Sequence, residues 1–258
     1  MTIGRWWLIG LVVWGCTGCG TAARSPGAIA LTISAAASLQ PALTELQAPY
    51  QQAHPHVQLK LNFGASGALK QQILQGAPID LFIAADQQTM TELAAAGAID
   101  PQTRRDLVAN TLVLVARPGS RVRGWADLAT PAVKFLAIGD PATVPAGRYG
   151  AATLKTLNLW QALQTKLVRG QDVRQVLAYT ATGNADAGIV YATDARQNSA
   201  VQTVAIAPPQ SHPPIRYPMA VLSRARQPAA ARAFGDFLQE PAARSVFGRY
   251  GFQPIETP

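Results

Sequence analysis

Between Ala28 and Ala96 the chain alternates, three times over, a short apolar run with a stretch whose large apolar residues recur at helical spacing. Ala28–Ser34 is β-like, and Leu39, Leu43, Leu46 and Tyr50 then fall on one helical face at i, i+4, i+7 and i+11. Val57–Phe63 alternates as a strand before Leu69 and Ile73 begin a second helix, and Leu81–Ala84 precedes a third around Thr89–Ala96. This order leaves little choice of fold. Parallel strands need crossovers of helix length, so a β-α-β-α-β-α order predicts a mostly parallel sheet flanked by helices on both faces.

The pattern resumes after a break. Thr111–Ala116 reads as a strand, Arg117-Pro118-Gly119 ends it, and Trp125–Leu128 is a turn of helix before the strand Phe135–Ile138. Leu136–Leu157 joins that strand to a Gly/Asp/Pro turn and a helix opening at Pro145-Ala146-Gly147, with Gly150, Leu154 and Leu157 on one face. Val173, Val176, Leu177 and Thr180 mark a further helix, and Ala187–Tyr191 and Val201–Ala207 read as buried strands. Pro208–Pro214 interrupts, Tyr217–Leu222 is a strand, and the helices Ala229–Gln239 and Pro241–Tyr250 follow. Two α/β lobes are the natural division for a chain of 258 residues. Crossing points near Asn110 and Tyr217 give one lobe of residues 28–109 with 217–258 and another of residues 110–216.

Residues 1–27 have a different layout. Met1–Arg5 carries one basic residue, Trp6–Trp14 is a short apolar run, and a small-residue linker reaches about Gly27. That is the plan of an export signal, too short to span a bilayer. A cysteine after a small residue here resembles a bacterial lipobox, so Cys16 or Cys19 is a lipidation candidate, with simple secretion and loss of both as the alternative. The chain has no cysteine beyond Cys19. Thiolate metal sites and cysteine nucleophiles are therefore excluded from the exported part, which must be held by its core without disulfides. The net charge of +8 is spread along the chain with no aromatic residues interleaved, so it reads as a solvated surface and not a nucleic-acid platform.

The chemistry lies where strands turn into helices. Ala35-Ala36-Ala37-Ser38 leads into the first helix and Gly64-Ala65-Ser66-Gly67 into the second, while Pro145-Ala146-Gly147 and Gln171-Asp172-Val173 open two helices in the second half. Helix starts expose backbone N–H groups at the positive end of the dipole, and small neighbours let an anion approach them closely. Each start alone is more often self-capped than ligand-bound; their repetition in both lobes makes the case for an anion held by neutral donors. Asp172 and Asp86 read as helix caps, Asp80 and Asp140 as turn residues, and Arg148 either steers anions or faces water. His54, His56 and His212 sit in proline-flanked loops without a third ligand, and no GxSxG elbow is present.

Taken together, AAASL, FGASGAL, PIDLFIAAD, GDPATVPAGRYG, QDVR, GIVY, YPMAV and RYGF resemble the periplasmic molybdate-binding proteins of ABC uptake systems, in that family's order from about Ile29 to Phe252. The resemblance implies a two-lobed type II periplasmic-binding-protein fold with the ligand cleft between lobes. It also implies oxyanion contacts at Ser38, Ser66, Ala146, Val173 and Tyr191, two backbone and three hydroxyl donors that contact molybdate or tungstate without ligating the metal directly. No cofactor, no catalysis and no nucleic acid are implied; the partners are the oxyanion and an ABC membrane permease, and the protein acts as a monomer outside the cytoplasm. Two other readings stay open: another oxyanion such as sulfate or phosphate on the same scaffold, and an exported hydrolase, for which no nucleophile–base pair stands out.

Overall fold

The computed structural model describes residues 28–255, so the export-signal reading and the lipidation candidates Cys16 and Cys19 lie outside the described residues. The first half contains β1 (Ile29–Ala36), α1 (Gln40–Ala53), β2 (Val57–Gly64), α2 (Ser66–Leu74), β3 (Leu81–Ile83), α3 (Gln87–Ala95) and β4 (Arg105–Asn110). The chain continues through β5 (Leu112–Ala116), β6 (Leu136–Gly139), α4 (Pro145–Thr156), α5 (Trp160–Leu163), β7 (Leu167–Gly170), α6 (Val173–Thr182), β8 (Ala187–Tyr191), α7 (Ala192–Arg196) and β9 (Gln202–Ile206). After it come β10 (Ile215–Val221), α8 (Pro228–Phe237) and α9 (Pro241–Arg249).

The strands form two sheets of the same plan, ordered β2-β1-β3-β10-β4 and β7-β6-β8-β5-β9. In the first, β1 is parallel to β2 and β3, while β10 runs antiparallel to β3 and β4. In the second, β6 is parallel to β7 and β8, while β5 runs antiparallel to β8 and β9. Four of the five strands in each sheet thus point one way, giving the two-lobed, mostly parallel α/β arrangement that the alternation predicts. The reversed strand is in each case the first one laid down after the chain crosses from the other sheet.

The helices cover these sheets as their spacing requires. Leu39, Leu43, Leu46 and Tyr50 are all buried, and the Tyr50 ring meets Phe234 of α8 edge-on at 4.8 Å. Side chains of that size each contribute about 1.5–3 kcal/mol when removed from water. Asp80 departs from the expected turn role. It is buried, and its carboxylate accepts the N–H groups of Thr32, Arg226 and Gln227 at 2.8–2.9 Å, tying β1 to the segment that leads into α8. The strand expected to be buried at Val201–Ala207 is corrected too: β9 pairs only with β5 at the sheet edge, and Ile206 is 64% exposed. β4, β7 and α5 lie outside the expected elements. β4 opens with Arg105-Asp106 and β7 is four residues long, so neither carries a strong strand pattern.

Candidate functional site

The parallel strands of both sheets aim their C-terminal ends at one cleft, the usual place for a ligand in an open α/β sheet. Ser38 follows β1, Ser66 follows β2, Ala146 follows β6, Val173 follows β7, and Tyr191 is the last residue of β8. All five line one hollow, along with small residues such as Ala37, Gly64 and Ala85. The hollow measures about 210 Å³ with its mouth. Among the described residues, no lysine or arginine lines it, and Asp172 is the one charged residue on its wall.

Each position earns its donor locally. Ser38 sits inside the 3-10 turn Ala37–Leu39 ahead of α1; its hydroxyl caps nothing and lies 2.9 Å from the Tyr217 hydroxyl. Ser66 is the first residue of α2, fully buried, and its Oγ accepts the Ala85 N–H at 2.9 Å. A hydroxyl that accepts still has its own proton to give. Ala146 is the second residue of α4, behind Pro145, and Val173 is the first of α6; helix geometry leaves both N–H groups without intrahelical acceptors. Asp172 caps α6 as expected, accepting the Gln175 N–H at 2.9 Å. Gly147 differs from the sequence reading: its N–H donates to the Val144 carbonyl, so it is no free donor. Its glycine serves contact instead, since a Cβ there would lie 2.0 Å from the Gly139 carbonyl oxygen at the end of β6.

Tyr191 is the telling case. Its ring is 1% exposed, and its hydroxyl has no hydrogen-bond partner among the described residues. Burial, with the neighbouring Tyr217 acting in the same sense, pushes its pKa well above that of an ordinary tyrosine, so the phenol keeps its proton as a neutral donor. A buried hydroxyl left unpaired costs about 1–3 kcal/mol, and native chains rarely carry one without a use.

Residues 31–253 match the family described as bacterial extracellular solute-binding protein. The chain belongs to that family. Among relatives, YvgL of Bacillus subtilis, named as a substrate-binding lipoprotein of an ABC transporter, is 41% identical over 94% of this chain and 93% of its own length. The molybdate-binding protein ModA of Haemophilus influenzae is 38% identical, over 86% of this chain and 89% of its own length. The solved periplasmic molybdate-binding protein of Azotobacter vinelandii superposes with a TM-score of 0.80 at 25% identity, covering 88% of this chain and all of that one.

In this solute-binding protein the lobes are closed on each other by contacts that no local pattern announces. The Gly67 N–H donates to the Thr143 carbonyl at 2.9 Å, joining the start of α2 to the turn before α4. Arg148 of α4 reaches across to Asp86 and to the Thr89 hydroxyl, both at 2.9 Å. Arg148, its side chain 22% exposed, is thus paired across the cleft and does not line the hollow, and Asp86 adds an ion pair to its expected cap of the Thr89 N–H. Arg174 donates to Gln40 on the far side of the cleft. Asp194, in the first turn of α7, is also buried, with one carboxylate oxygen unpartnered. Burial raises its pKa to about 7 despite Arg174 and the Tyr191 N–H, which favour the charged form.

Two other features lie outside the cleft. A hollow of about 1190 Å³ beside β4 and α9 is roomier, but Arg105 and Arg216 on its wall are engaged by Asp236 and Asp106. His54 lies against Tyr50 with ring centroids 4.4 Å apart, and His212 against Tyr149 at 5.5 Å.

Proposed function

We propose that this solute-binding protein captures molybdate, and tungstate with it, between its lobes and delivers it to an ABC permease. The observation that carries the reading is the unpartnered Tyr191 hydroxyl, buried in the same hollow as the Ser38 and Ser66 hydroxyls and the N–H groups of Ala146 and Val173. The hollow offers hydroxyl and N–H donors, and its one charged wall residue, Asp172, is engaged in capping α6; donors without a fixed cation suit a fully ionised anion, which needs hydrogen bonds and no acceptor. They also allow release, because no opposite charge holds the ion. Closure removes the ion from water, and hydrogen bonds to charge, each worth about 1.5–3 kcal/mol, offset the lost hydration. The names of the ModA relatives point to molybdate among the oxyanions. On the same reading the protein makes and breaks no bond in its ligand and works as a monomer outside the cytoplasm. A lipid on Cys16 or Cys19 tethers it there.

The test is calorimetric titration of the purified chain with molybdate, tungstate, sulfate and phosphate. Molybdate and tungstate binding well ahead of sulfate supports the reading; equal affinities would remove selection by size, and a preference for sulfate or phosphate would move the assignment to that ion. Tyr191→Phe sharpens it. Removing an unsatisfied buried hydroxyl should leave the unligated melting temperature equal or higher, while molybdate affinity falls by roughly tenfold, about one hydrogen bond to charge. Lost stability with unchanged affinity would make Tyr191 a core residue only.

A further inference from the structure

We infer that Tyr217 and Asn110 are positioning residues for the anion site: a one-way hydrogen-bond chain from Asn110 through Tyr217 to Ser38 aims the Ser38 proton into the cleft. The inference rests on the oxyanion reading above, and neither residue lines the hollow.

Direction follows from who can donate. The Asn110 Oδ1 accepts the Thr111 N–H at 2.8 Å, which fixes the amide so that Nδ2 faces the interior. That Nδ2 donates to the Tyr217 hydroxyl at 3.1 Å and to the Thr193 hydroxyl at 2.9 Å. Tyr217, already accepting from Asn110, has one proton to give, and its other hydrogen-bond partner is Ser38 Oγ at 2.9 Å. Ser38 therefore accepts from Tyr217, and its own proton is turned away from Tyr217 toward the cleft. Were the chain reversed, Ser38 would donate to Tyr217 and present a lone pair to an anion, which repels. Tyr217 is fully buried, and burial holds its proton on well beyond the ordinary tyrosine range, so the relay does not titrate near neutrality.

The chain also has a mechanical side. Asn110 is the last residue of β4, where the backbone passes to the second sheet, and Thr193 lies two residues beyond Tyr191. One amide therefore fixes the lobe crossing to both the Ser38 side and the Tyr191 side of the site. Bonds that polarise one another along such a chain strengthen the terminal donor.

A double-mutant cycle reads this out. Tyr217→Phe should weaken molybdate binding by roughly tenfold, the worth of one misdirected hydrogen bond to charge. In a Ser38→Ala background the same change should cost almost nothing further, because there is no serine proton left to aim. Losses that simply add would mean that Tyr217 acts through general packing and would overturn the relay. Should Tyr217→Phe melt early, Asn110→Asp replaces it: the carboxylate can only accept, so Tyr217 turns its proton to it and the chain reverses. Its charge repels the ion with or without Ser38, so the Ser38-dependent part of the loss is the signature. If the unsubstituted chain binds none of the four oxyanions, the site reading and the relay fall together. If it binds and Tyr217→Phe binds equally well, only the relay falls.

Discussion

Gly67→Ala asks whether the cleft must close fully to hold its ion. A Cβ at position 67 would stand 2.5 Å from the Thr143 carbonyl oxygen, about 0.9 Å short of the 3.4 Å at which ordinary contact begins. Backbone lies on both sides of this contact, so no side chain can swing away, and the lobes must part by about that distance. The Gly67 N–H to Thr143 bond, now 2.9 Å, then lengthens to about 3.8 Å, beyond hydrogen-bonding range. Its loss costs about 1 kcal/mol. Ser38 and Ser66 ride on one sheet while Ala146, Val173 and Tyr191 ride on the other, so the same parting pulls at least one donor off a shared ion, for about 1.5–3 kcal/mol more. The sum, roughly 2.5–4 kcal/mol, predicts a Kd about 60- to 700-fold weaker. Stability should move the other way or stay put, because alanine is the better helix residue and the clash exists only between lobes. Calorimetry with molybdate, alongside thermal melting without it, separates the two effects. An affinity within about threefold of the unsubstituted chain would refute the requirement for tight closure.

Other perturbations probe the same machinery. Arg148→Met removes the ion pair to Asp86, whose side chain is only 4% exposed, while the Thr89 contacts keep that carboxylate partly satisfied; leaving a buried carboxylate without its counter-charge should lower both molybdate affinity and the melting temperature, by up to about 3–5 kcal/mol in all, and unchanged affinity would exclude the pair from closure. Asp194 supplies a pH prediction. The folded chain holds its proton up to about pH 7, whereas the unfolded carboxyl releases it near its ordinary value of 3.8. The native state therefore binds the extra proton between those values, and stability should fall as pH rises through that window, by on the order of 4 kcal/mol. Asp194→Asn should flatten this slope and stabilise the chain at pH 8 in urea denaturation; a slope that survives would place the titration elsewhere.

What the sequence disclosed depended on how local the information was. Leu39, Leu43, Leu46 and Tyr50 declare α1 because its periodicity is written within fourteen residues, and the helix starts at Ser66, Ala146 and Val173 are equally local. The edge character of β9 was hidden, because alternation marks one buried face and says nothing of how many neighbours a strand has. Tyr217 and Asn110 could be read as lobe crossings but not as parts of the site: Ser38 lies 179 residues from its partner Tyr217, and Asn110 meets Tyr217 only where the two sheets join. Arg148 and Asp86 are 62 residues apart, and a single cap or exposed arginine explains each by itself. The resemblance to a family supplied Tyr191, whose missing partner only coordinates reveal.

The exchange of strands between sheets also sets an order of assembly. β5, β6, β7, β8 and β9 fall within Leu112–Ile206, so that half has every strand it needs once this contiguous stretch exists. The other half must wait: β3 and β4 are both hydrogen-bonded to β10, which arrives only at Ile215–Val221. Until those seven residues dock, Arg105–Asn110 has no strand to pair with. The half of the protein made first is thus the half completed last.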